Sequence, residues 1–173
     1  MNSKRFGLLM VYSLIIISLI FLPKMFTLSL GKDILLKTEP VDPRDVFRGD
    51  YVNLNYEIST IDLDKTPFDH EFMMGESIYA KLSEKEKYWT IDWVSHRKPD
   101  VSDEDVCMKG VVTSSYDDTL NVRWGIESYF VPEGDGIPIQ MQMENTSVIV
   151  SVGPDCSAVL KQLLIDDEPV TFE

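Results

Sequence analysis

The stretch Ile78 to Trp93 reads IYAKLSEKEKYWTIDW. Ile78, Ala80 and Leu82 alternate with Tyr79 and Lys81, and Trp89, Ile91 and Trp93 occupy every second position of the segment that follows. A period of two sends successive side chains to opposite faces of a strand, whereas a helix would need apolar residues three and four apart. The charged run Ser83-Glu84-Lys85-Glu86-Lys87 between the two segments is the turn, so the stretch predicts a β-hairpin with one apolar face.

The same alternation continues on both sides. In Asp50 to Ile58 the apolar set is Val52, Leu54, Tyr56 and Ile58, with Asn53, Asn55 and Glu57 on the other face. Val106 to Ser114 leads through Tyr116-Asp117-Asp118 into Leu120, Val122, Trp124 and Ile126, a second hairpin. Ser147 to Val152 and Ser157 to Ile165 flank Gly153-Pro154-Asp155 and predict a third pair, although Leu160, Leu163 and Leu164 also fit a helical stripe. Asp62 to Glu76, with Pro67 and Gly75, reads as a surface loop, and Gly136 to Asn145 is a candidate short helix interrupted by Pro138. The fold class expected is mainly β: one antiparallel, barrel- or sandwich-like domain with at most a short helix, preceded by a transmembrane helix.

That helix is read from Phe6 to Leu22, which are 17 residues without a charge, 12 of them Leu, Ile, Val or Phe. At about 1.5 Å per residue they extend roughly 26 Å as a helix, close to the roughly 30 Å of a bilayer core. A cleaved signal peptide is the rival reading. It usually ends in a small-x-small site, and the nearest candidate, Thr27-Leu28-Ser29, sits behind Pro23 and Lys24. Lys4 and Arg5 precede the apolar run and favour a cytoplasmic N-terminus. The expected organisation is a cytoplasmic tip at 1–5, a membrane anchor at 6–26, a juxtamembrane linker at 27–32 and an extracytoplasmic β-rich domain at 33–173. The expected location is therefore the cell membrane, single-pass, with the C-terminal domain outside.

The 173 residues carry 16 Lys and Arg against 29 Asp and Glu, a net charge of -13. Everything beyond Arg5 holds all 29 acids and 14 of the bases, a difference of -15. Such a balance argues against nucleic acid, whose affinity comes from Lys and Arg displacing counterions. It also argues against lying flat on anionic headgroups. With 44% hydrophobic and 26% charged residues, the chain is not a disordered acidic tail. Two cysteines and two histidines offer little for a zinc or His-based centre, and neither a metal nor another cofactor is expected.

The densest constellation is Val41-Asp42-Pro43-Arg44-Asp45-Val46-Phe47-Arg48-Gly49-Asp50-Tyr51-Val52-Asn53-Leu54-Asn55-Tyr56. Alternation places Asp50 on the side of Val52 and Leu54, where a carboxylate needs a partner, and Arg44 and Arg48 are the nearest guanidinium groups in sequence. The expectation is a structural latch. Tyr51 falls on the polar face with Asn53 and Asn55, as a possible contact surface. Gly49-Asp50-Tyr51-x-x-Leu54-x-Tyr56, with its Pro-Arg-Asp-x-Phe-Arg lead-in, resembles the GDYXXLXY family. Lys109-Gly110 and Trp124 to Gly134 are similar to it as well, and Gln140 departs from the glutamate that members often place there. The resemblance covers nearly the whole chain. It implies a bacterial membrane-anchored protein of unknown activity, often paired with a polytopic membrane protein, and it implies no catalytic residues.

The motif residues Arg44, Asp45, Arg48, Gly49, Asp50, Tyr51, Leu54 and Tyr56 are thus the interaction candidates. Asp42, Asp45 and Asp50 match no calcium loop, and the adjacent arginines compensate them. His70 and His96 read as solvated residues, and Trp89 and Trp93 fit either a sugar platform or a core. Cys107 and Cys156 fit either a disulfide in an oxidising compartment or two buried thiols. The leading functional expectation is a non-enzymatic anchored β module that binds or stabilises a membrane protein partner. The alternative is an envelope ligand-binding or hydrolytic protein, with glycans as the candidate substrate.

Overall fold

The computed structural model describes residues 3–40, 51–132 and 145–171. Helix α1 runs from Ser3 to Leu30 with Pro23 inside it. Its stretch Gly7–Leu30 is long and apolar enough to cross a membrane, and its apolar side chains stand free of the rest of the fold. The helix continues through residues 27–30 of the 27–32 span expected to be a linker, and only Gly31 separates it from the first strand.

Twelve strands follow among the described residues: β1 (Lys32–Glu39), β2 (Tyr51–Asn53), β3 (Asn55–Tyr56), β4 (Thr60–Asp62), β5 (Ser77–Lys85), β6 (Tyr88–Ser95), β7 (Val106–Tyr116), β8 (Thr119–Arg123), β9 (Ser128–Phe130), β10 (Thr146–Val152), β11 (Ala158–Ile165) and β12 (Glu168–Pro169). They form one five-stranded sheet in the order β12-β11-β10-β1-β3 and another in the order β4-β8-β7-β5-β6, with the pair β2-β9 beside them. The strand pairing in these sheets is antiparallel, and the whole curls into a half-barrel. Ile34 and Leu36 from β1, Val148 and Val150 from β10, Ile78 and Leu82 from β5, and Met108 and Val112 from β7 fill the space between the sheets. The spacing within each set is two or four residues, an even number that keeps the named side chains on one face of a strand.

The expected hairpins are present, and the third pair is strand rather than helix throughout. In the first hairpin the connection tightens to Glu86 and Lys87, with Glu86 at φ +59°. A bulge breaks its alternation. Leu82 faces Ile91 while Lys81 faces Trp93, leaving Asp92 without an opposite residue. The inward face therefore passes from Trp89 and Ile91 to Val94. Trp89 is core and Trp93, expected on the same face, is half-buried on the other. The 62–76 loop also differs from expectation: Thr60–Asp62 is a strand, and Phe72 is buried in the core. The candidate helix at Gly136 to Asn145 lies outside the described residues except for Asn145, and Gln140 lies outside them too.

Candidate functional site

Asp50 to Ile58, expected as one strand, is divided among several partners. β2 pairs with β9, Val52 opposite Tyr129. At Leu54 the chain leaves that pair, its N–H donating to the Glu127 carbonyl at 2.7 Å. β3 then joins β1, with Tyr56 opposite Thr38, and a single 3-10 turn at Glu57–Ser59 carries the chain into β4. Val52, Leu54, Tyr56 and Ile58 are all buried, as the alternation required, and Asn53 is exposed.

The second family-like segment supplies the counterpart. Tyr56 donates its phenol to the Ile126 carbonyl at 2.6 Å, and Trp124 Nε1 donates to the Ile58 carbonyl at 3.2 Å. Burial first, then the charge of Glu127, pushes the Tyr56 phenol far above its ordinary pKa, so it remains a donor. Gly125 takes φ +82°, a left-handed conformation that bends the chain so that the Glu127 carboxylate accepts from the N–H groups of Trp124 and Gly125. The motif's apolar positions and the Trp124-to-Phe130 segment thus lock each other.

This lock walls one side of a cleft of about 470 Å³ whose floor includes Leu54 and Val122 and whose rim carries Asn53, Arg123 and Glu127. Asn121, also in the wall, is held between Ser114 Oγ at 2.9 Å and Thr60 Oγ1 at 3.3 Å. Ser59 lines the cleft at 6% exposure, and its Oγ has no hydrogen-bond partner among the described residues. Arg123 makes no ion pair among the described residues, and its side chain is exposed.

Three further features lie outside the lining of the cleft. Cys107 in β7 and Cys156 in the turn after β10 form a disulfide with Cα atoms 4.8 Å apart, next to a bond from Lys109 N–H to the Cys156 carbonyl. His96 is not a solvated strand end: its Nδ1 lies 2.8 Å from Asp69 Oδ1, its Nε2 3.5 Å from Glu76 Oε2, and its ring stacks on Phe72 at 4.0 Å. Burial pulls the Asp69 carboxyl upward, but hydrogen bonds from the His96 N–H and ring and the His70 N–H outweigh it and hold the carboxyl below its ordinary range. Finally, the last turn of α1 is docked. Thr27 is buried, its Oγ1 2.8 Å from Ser157 Oγ, and its carbonyl accepts from Ser151 Oγ at 2.7 Å and from the Gly31 N–H at 2.9 Å. A Cβ on Gly31 would lie 2.4 Å from the Thr27 carbonyl oxygen, so glycine is required for the approach.

Of the residues expected to matter, Leu54 and Tyr56 join the lock, while Tyr51 contributes its backbone to β2. Arg44, Asp45, Arg48, Gly49 and Asp50 lie outside the described residues. Ser59, Arg123, Asp69 and Glu76 were not singled out by sequence. Each acquires its setting from segments distant in the chain, and no local pattern marks them. Among the described residues no group of three or more His, Cys, Asp or Glu gathers to hold a metal.

Fold and site together define a curled antiparallel β domain mounted on an apolar N-terminal helix and closed by a lock between the Val52-to-Tyr56 strand and the Trp124-to-Phe130 segment. The chain belongs to the GDYXXLXY family: the profile described as GDYXXLXY protein matches residues 13–163. No curated protein and no solved structure matches it.

Proposed function

We infer that the protein is a membrane-anchored extracytoplasmic module that binds or stabilises an integral membrane partner. The observation that carries this reading is the joint at Thr27 and Gly31. A tether would need slack, whereas here a buried threonine and a tight glycine fix the domain against the end of the helix. Fixed geometry favours recognition of something held in the same membrane, because the ordering cost is met before binding. Lys4 and Arg5 before the apolar run support an N-terminus in the cytoplasm. The Cys107–Cys156 bond supports an oxidising compartment for the domain.

The test is affinity purification of the full-length chain from native membranes in mild detergent, with mass spectrometry of what accompanies it. A stoichiometric polytopic membrane protein is expected, and a flexible Gly-Ser insertion between Leu30 and Gly31 should weaken its recovery. Purification of the chain alone from native membranes would overturn the reading.

A further inference from the structure

We propose that the Cys107–Cys156 bond is the fastener of the helix joint: it holds the turn that seats the end of α1, and without it the folded domain swings on the helix. The turn is Gly153 to Ser157, between β10 and β11. At its far end Ser157 Oγ lies 2.8 Å from Thr27 Oγ1. At its near end a Cβ on Gly153 would come within 2.9 Å of the same Thr27 oxygen. The helix end is therefore packed against both ends of the turn. Within the turn, Asp155 Oδ1 accepts from the Ser157 hydroxyl at 2.6 Å and from its N–H at 3.2 Å, which orients the serine.

The turn is tied to the opposite sheet through Cys156. Its partner Cys107 lies in β7, of the sheet β4-β8-β7-β5-β6, whereas β10 and β11 belong to the other. The Cys156 carbonyl also accepts from the Lys109 N–H at 2.9 Å, and Lys98 Nζ donates to the Pro154 carbonyl at 2.6 Å. The Lys98 bond is exposed to competing water, while both cysteines are buried. Cys156 takes φ +66°, a left-handed conformation that three-residue hairpin loops usually give to glycine and that other residues keep only where their surroundings impose it. With the bond absent, a non-glycine residue at 156 relaxes and carries Ser157, its immediate neighbour, away from Thr27. This inference concerns what fixes the joint and not what the domain binds, so either reading can fail without the other.

The experiment compares the oxidised full-length chain in mild detergent with Cys107→Ala/Cys156→Ala. Hydrogen exchange with mass spectrometry follows the peptide that carries Gly31, whose N–H donates to the Thr27 carbonyl, while the amides of Ile78 to Leu82 in β5 report on the fold. Nitroxide-bearing non-natural residues at Tyr12 and Tyr116, both exposed, give the helix-to-domain distance distribution by double electron–electron resonance. In the alanine variant Gly31 should exchange at least tenfold faster and the distances should broaden, within a labelling time over which β5 stays protected. Cys107→Ala/Cys156→Gly lacks the bond but adopts the left-handed conformation without strain, so its Gly31 exchange should fall between parent and alanine variant; it is also the variant read against the parent should the alanine pair not fold. Parent-like exchange and distances in a folded variant overturn the proposal. Loss of β5 protection in both variants overturns it too, since the bond would then hold the whole domain, as does a glycine variant whose Gly31 exchanges as fast as that of a folded alanine variant.

Discussion

Tyr56 and Ile126, 70 positions apart in the chain, are joined by a hydrogen bond from phenol to backbone carbonyl in a buried setting. The bond fastens the strand edge of one sheet to the segment leaving the other. Tyr56→Phe keeps the ring and leaves the Ile126 carbonyl without this donor, so it should cost about 1 to 3 kcal/mol. Tyr56→Ala removes the ring as well and should cost about 3 to 5 kcal/mol. Urea unfolding of the full-length protein in detergent measures both, and Tyr116→Phe, at an exposed tyrosine, should leave the midpoint unchanged.

Gly110 lies where β7 crosses beneath the lock. A Cβ there would sit 2.6 Å from Val122 Cγ1, 2.8 Å from Trp124 Cε3 and 3.0 Å from the Arg123 carbonyl oxygen. Gly110→Ala should therefore destabilise by about 1 to 3 kcal/mol through overpacking. Gly75, with open space around its Cβ position but φ +91°, separates the two mechanisms: Gly75→Ala meets no neighbour and is penalised by backbone strain alone. Thermal unfolding of the two variants, together with indole fluorescence from Trp124, should show a packing change in the first and none in the second.

Closing the loop between Cys107 and Cys156, 49 positions apart, stabilises the fold by about 4 kcal/mol on the chain-entropy account. Full reduction or the double Cys→Ala variant should lower the unfolding midpoint accordingly. Mobility on a non-reducing gel, with and without thiol, reads the bond directly. A parent protein that purifies with two free thiols from its native membrane would contradict the compartment proposed above.

Topology has its own readout. An alkaline phosphatase fusion at Glu173 should be active, and N-terminal sequencing of the mature protein should begin at or near Met1. A mature start near Leu30 would identify a cleaved leader and remove the anchor.

Acid sensitivity follows from the carboxyls. A hydrogen bond from the Lys81 ammonium, followed by one from the Ser102 hydroxyl, holds Asp105 below its ordinary pKa. The Ser157 hydroxyl does the same for Asp155, and Asp69 is lowered as described. Because each folded value lies below the unfolded one, their contribution is complete above the unfolded carboxylate range near pH 4 and is lost as pH falls through the folded values. The urea midpoint should be level with respect to these groups between about pH 5 and 7 and drop below about pH 4. Asp69→Asn should make that drop shallower.

The hairpin from Ile78, the pairs around Asp117 and Asp155, and the buried series Val52, Leu54, Tyr56 and Ile58 were legible because alternation is a local property. What sequence could not supply was register between distant segments. The bulge at Asp92 reverses a face within one strand, and nothing in Trp89-Thr90-Ile91-Asp92-Trp93 announces it. His96 read as solvated because Asp69 and Glu76, which flank it, lie 27 and 20 positions upstream in a loop with no periodicity. The cleft was hidden for the same reason: Ser59 and Arg123 meet only after β4 pairs with β8.

The docked end of α1 also fixes an azimuth. Val11, Ile15, Ser18 and Leu22 line one shallow groove along the helix, and with Thr27 seated under Ser151 and Ser157 that groove points in a single compass direction relative to the cleft. Each residue inserted between Leu22 and Thr27 would swing the groove by about 100°, and four would return it to within about 40°. The helix and the domain are in this sense geared together, so a partner that touches both must match their phase as well as their chemistry.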